Sequence, residues 1–227
     1  MKKNDHVIQP IVTWLIYFIG LLIMALGIVL TIKANLGVSA WDVLHIGLYY
    51  QFGLTIGTWS IITGLFVLSV ASLLTKKRPK LGAFVNMVSV GIFIDLYLMV
   101  PFLKTPVSIF GKLIMLLIGI IILCYGMGLY ISAKRGTGPR DSLMIALVNK
   151  TGKSITFIRG TIEVIVLFFG WLLGGPVFIG TIIATATIGY VAGFMIPYCD
   201  KWTAGLMLKL SSNNRNFHDT SFLERKL

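Results

Sequence analysis

Two stretches, 99 residues apart, set charge beside broken backbone in otherwise apolar sequence: Leu36-Gly37-Val38-Ser39-Ala40-Trp41-Asp42 and Arg135-Gly136-Thr137-Gly138-Pro139-Arg140-Asp141. Glycine lets the chain turn with φ > 0, and the free N–H groups at a helix start can hold an anion. An arginine adds a planar fork of donors for a carboxylate or an anionic head group. Ser39, Asp42, Gly136, Gly138, Arg140 and Asp141 are therefore candidate solute-binding residues. A second chemistry lies in Glu163, eight residues beyond Ile155 in an apolar run and so roughly 12 Å deep if helical. A carboxylate at that depth faces the bundle interior or water. Arg159, four residues earlier, shares its face and can pair with it. Arg159 and Glu163 read as an ion-coupling pair, with Glu163 carrying a proton. Asp95, two thirds of the way along its own run, is placed for an outer-side pathway.

Each of these residues also has a plainer use. Ser39 and Asp42 have the spacing of a capping box, with Asp in place of Glu or Gln. Pro139 suits a first helical position, and an acid in the first turn complements the helix dipole. Arg140 can snorkel to cytoplasmic water or anionic lipid. Arg159 and Glu163 can be a packing ion pair. Asp200, after Pro197, reads as a helix end. There is no Walker loop, HExxH, GxSxG or Cys/His metal spacing, so the expectation is no enzyme, no metal and no cofactor.

The elements that must position these residues are membrane helices. The chain is 56% hydrophobic and 12% charged, with a mean hydropathy of +0.89. Soluble domains carry about a quarter charged residues. Apolar blocks near 14–32, 56–74, 81–103, 111–131, 155–173 and 176–198 are each long enough to cross a bilayer, which takes about 20 residues. The short segments 40–52 and 139–150 reach only about 20 Å as helices and do not cross. The net charge of +12 sits in loops and tails, where positive-inside topology accounts for it better than nucleic acid does.

An offset of 99 residues pairs Gly20 with Gly119, Gly27 with Gly126, Gly37 with Gly136, Asp42 with Asp141 and Gly53 with Gly152. A one-residue shift then pairs Gly82 with Gly180 and Gly91 with Gly189. The expected fold is all-α and polytopic, with six spanning helices and two short broken helices, re-entrant or interfacial, in two inverted repeats. Its expected organisation is a cytoplasmic segment 1–10, a first repeat 11–103, a second repeat 104–200 and a cytoplasmic tail 201–227. With both termini cytoplasmic, only Lys33, Lys104 and Lys112 of the 20 Lys and Arg fall outside.

The paired stretches "LGVSAWDVLHIGL" and "GTGPRDSLMIAL", each after a glycine-containing spanning helix, resemble the bacterial YczE/YyaS/YitT group of integral membrane proteins. Gly136, Gly138, Pro139, Arg140 and Asp141 carry the more specific motif. The resemblance covers about residues 10–205 and implies a membrane protein without implying an activity.

The function these features favour is a small secondary transporter of the cell membrane. A proton-coupled site would lie between inverted halves, as in many transporter folds. The rival is a non-transporting scaffold or regulator that binds a partner helix or lipid. The partners to expect are membrane lipids, a small-molecule substrate and a second copy of the chain, with no nucleic acid.

Overall fold

The structure, a computed structural model, describes residues 5–223, with side-chain surroundings described for residues 9–209. The extreme ends of the expected cytoplasmic segments, residues 1–4 and 224–227, lie outside the described residues. The described chain is all-helical: α1 (Asp5–Ala34), α2 (Ala40–Phe52), α3 (Ile56–Thr75), α4 (Leu81–Leu98), α5 (Ile109–Ser132), α6 (Pro139–Thr151), α7 (Ile155–Leu172) and α8 (Ile179–Leu223). Six of these, all but α2 and α6, are long and apolar enough to cross a membrane. Their outward faces carry large apolar side chains such as Phe66, Phe110, Phe168, Trp171, Tyr190 and Phe194, as lipid contact requires.

The core is the seam between α1 and α5, where Tyr17, Leu21, Ala25, Val29, Leu116, Ile120 and Cys124 are buried. Lipid is as apolar as these side chains, so close packing rather than the hydrophobic effect holds such a seam. Small residues permit it. A Cβ added to Gly27 would stand 2.3 Å from the Leu123 nitrogen, and one added to Gly126 would stand 2.3 Å from the Met24 nitrogen. Gly20 faces the Gly126 carbonyl and Gly27 faces the Gly119 carbonyl. Rising numbers on one helix thus meet falling numbers on the other, and α1 and α5 run antiparallel.

The sequence offset recurs in local conformation. Asn35 and Lys134 both end their helices in the left-handed region, at φ 52° and 56°, and Gly37 and Gly136 follow with φ 102° and 155°. Thr55 and Ser154 both accept a first-turn N–H, capping α3 and α7. The tertiary contacts cross between halves. α2 packs on α7, where Gly47 meets Gly170, and α6 packs on α3, where Pro139 meets Gly64. The start of α4 abuts the linker before α6, Gly82 against the Arg135 carbonyl; the start of α8 abuts the linker before α2, with Gly180 N donating to the Leu36 carbonyl at 2.7 Å.

Two expectations are corrected. Ser39 stands at the N-cap of α2 but makes no side-chain cap; its hydroxyl donates instead to Asp42 Oδ2 at 2.5 Å. Asp200 ends no helix, because α8 runs on through Pro197. Proline is tolerated inside a membrane helix where neighbours and local adjustment take up the freed backbone groups. Asp200 instead lies 3.8 Å from Lys134 Nζ, both side chains being exposed.

Candidate functional site

The linkers 35–39 and 134–138 aim the N-termini of α2 and α6 at each other. Between them lies a cavity of about 540 Å³, in the range of small-molecule sites. Met24 and Ile28 line it from α1 and Leu123 and Met127 from α5. These residues lie in the second halves of spans Gln9–Ala34 and Ile109–Ser132, and because the two helices are antiparallel they bracket the middle of the pair. The cavity is therefore at the level of the middle of those helices.

Of the predicted residues, Ser39, Asp42, Gly138, Arg140, Asp141, Arg159 and Glu163 all line this one cavity. Two predicted residues do not. Gly136 lies in the linker, against Gly82. Asp95, on α4, sits at the N-terminal end of α3, where its Oδ1 accepts from Gly57 N at 2.8 Å and its Oδ2 from Thr55 Oγ1 at 2.5 Å.

Arg140 is the hub. Its guanidinium lies over the Trp41 ring, 4.8 Å from the centroid. Among the described residues it has no carboxylate within ion-pair distance and no hydrogen bond, so its donors face the cavity. Asp141 accepts from the Tyr130 hydroxyl at 3.2 Å. Arg159 Nε donates to Glu163 Oε1 at 3.1 Å, the i,i+4 pair expected on one helix face, and Glu163 keeps 27% of its side chain accessible. An ion pair of such exposure adds little stability by itself; its place here is on the cavity wall.

Three cavity residues were missed by sequence reasoning: Trp41 as the partner of Arg140, Asn86 of α4, and His45. His45 is 1% exposed and Asp42 2%. They sit one turn apart on α2, with His45 Nδ1 3.8 Å from Asp42 Oδ1. Thr63 Oγ1 lies 2.8 Å from the Trp59 carbonyl and 2.9 Å from His45 Nε2; with the hydroxyl hydrogen on that carbonyl, the ring donates from Nε2. The tautomer leaves Nδ1 with a lone pair. Asp42 Oδ1 and His45 Nδ1 are both buried without a hydrogen-bond partner. The i,i+3 spacing was the available signal.

The model of a family of unknown function, DUF6198, matches residues 11–197. An uncharacterized membrane protein, YczE, of Bacillus subtilis (strain 168) is 42% identical over 83% of this chain and 87% of its own. The uncharacterized protein YyaS of the same organism is 31% identical over 90% of this chain and 99% of its own. An uncharacterized protein of Haemophilus influenzae is 33% identical over 80% of this chain and 82% of its own. No solved structure matches the chain. With six apolar spans and a membrane protein among its relatives, the chain is a multi-pass membrane protein.

Proposed function

The chain belongs to the DUF6198 family, and from its own site we propose that it is a small secondary transporter of the cell membrane, with a solute site between two inverted repeats. The observation that carries this reading is the convergence of six ionisable side chains from α2, α6 and α7 on a cavity at mid-span. Charged groups inside a membrane are expensive and are kept where they serve a pathway. The exchanged contacts between the halves support the inverted repeat: α2 on α7 is matched by α6 on α3, and Gly82 at the Arg135 carbonyl by Gly180 at the Leu36 carbonyl. The meeting of Trp41 with Arg140 at the level of Met24 and Leu123 supports re-entrant short helices over interfacial ones.

The halves differ where alternating access needs them to. α3 is zipped to α4: Gly57 and Gly91 touch through backbone, and Asp95 holds the start of α3. In the second half Gly160 and Gly189 both line the cavity with open space where a Cβ would stand. The α7 lining runs from Ile155, the first residue of that helix, to Glu163. With both termini cytoplasmic, the site is then open inward and latched outward at Asp95. Arg140 and the uncapped starts of α2 and α6 orient the solute, and the Arg159–Glu163 pair lines its path.

Reconstituted protein tests this directly. Proton-gradient-driven uptake of at least one solute from a broad panel of small polar solutes is expected in proteoliposomes and absent from empty vesicles. No flux of any solute under gradients of either sign would favour the scaffold reading.

A further inference from the structure

We infer that Asp42 and His45 together hold the coupling proton, and that the cavity beside them takes a small organic monocation in exchange for it. The inference rests on the transporter reading and moves the proton from Glu163, where the sequence puts it. Two acceptors, Asp42 Oδ1 and His45 Nδ1, face each other at 3.8 Å with no donor between them and no partner elsewhere. Neither atom is open to water. A proton is small enough to enter between them, and a closure of about 1 Å then brings the pair to hydrogen-bond distance. Bound on either atom it turns two opposed lone pairs into a donor and an acceptor. An unsatisfied buried acceptor is costly, and once the pair closes one hydrogen relieves two. Glu163 has no such vacancy, since Arg159 already donates to it.

The substrate class follows from the charges around the pair. On α6 they are Arg140 and Asp141, on α7 Arg159 and Glu163, and on α5 the Tyr130 hydroxyl. α1, α3, α4 and α8 add no titratable side chain to the cavity wall. Counted with Asp42, three carboxylates oppose two guanidinium groups, leaving one negative charge when the pair is empty. Isolated charge is costly in a desolvated site, so the cavity is balanced by one added positive charge. A proton on the Asp42–His45 pair supplies it, or an organic monocation in the cavity does. Both at once would overshoot, and the two compete. The apolar lining of Met24, Met87, Met127 and Met144 suits an adaptable, hydrocarbon-bearing amine.

The test is binding in detergent and needs no transport. Primary amines from methylamine to phenethylamine, and the alcohols of the same shape, are titrated onto purified protein at several pH values, with proton release read by an indicator dye in weak buffer. At least one amine is expected to bind and its alcohol not. Over the range in which the pair is protonated, the amine Kd should fall about tenfold per unit rise in pH, the slope for one displaced proton. Each amine bound should release about one proton. Asp42→Asn and His45→Gln should flatten the slope, while Glu163→Gln should keep it. A flat wild-type slope, no amine bound, equal binding of amine and alcohol, or a slope lost in Glu163→Gln but kept in Asp42→Asn would overturn the inference. The wild-type slope stands even if a variant does not fold. Amine-linked proton release without any flux would leave the linked proton and amine sites standing and sink the transporter reading; flux with a flat slope would do the reverse.

Discussion

Arg140 lies over the ring of Trp41, 4.8 Å from its centroid, and the two occupy equivalent positions 99 residues apart in the sequence. A position at which the halves differ in chemistry is thus also one where they touch. Under the proposed repeat symmetry, a shared surface cannot carry the same cation twice without repulsion, and one arginine with one aromatic ring avoids it.

That contact is measurable. A double-mutant cycle of Arg140→Ala and Trp41→Ala, read by unfolding in detergent, should give a coupling of about 0.5–2 kcal/mol, as for a desolvated cation–π pair. Coupling indistinguishable from zero would mean that the stacking holds nothing.

The α1–α5 seam should be intolerant of a single methyl. Gly27→Ala sets a carbon 2.3 Å from the Leu123 nitrogen and is expected to cost about 1–3 kcal/mol through overpacking. Gly193→Ala, with nothing within 4 Å, should stay within about 0.5 kcal/mol of the parent. Equal melting temperatures for the two variants would contradict the seam as described.

Asp95 is assigned to an outward latch rather than to the solute site. Asp95→Ala frees Gly57 N and Thr55 Oγ1 and should raise labelling of a Ser60→Cys reporter from the external face several-fold. Unchanged external labelling would remove Asp95 from the gate.

The orientation has its own check. A cysteine placed at Lys77 should react with an impermeant reagent only from the cytoplasmic side, and one at Lys104 only from outside. The reverse pattern would invert the topology.

Much of this was legible in the sequence because membrane helices announce themselves by length. The segment 40–52 is α2 as drawn from the sequence, and 139–150 falls one residue short of α6. The backbone breaks were visible because left-handed conformations at Gly37 and Gly136 favour glycine. The Arg159–Glu163 pair was readable because both residues lie on one helix. What stayed hidden was what depends on contacts across the fold. Trp41 meets Arg140 only because two linkers fold inward. Asp95 reaches α3 from α4, and Asn86 reaches the cavity from α4. His45 has no polar counterpart, since Met144 stands at its position in the other half, yet its i,i+3 spacing from Asp42 held the information. Asp200 misled because proline breaks helices in water more reliably than in a packed membrane helix.

The central question is whether water and solute reach the mid-span cavity. With Cys124 and Cys199 replaced by alanine, a cysteine at Ser39 should react with a membrane-impermeant thiol reagent from the cytoplasmic face of intact vesicles and not from the external face. Protection of Ser39→Cys from both faces, with reaction only after unfolding, would mean a dry, packed interior and would contradict a solute pathway there.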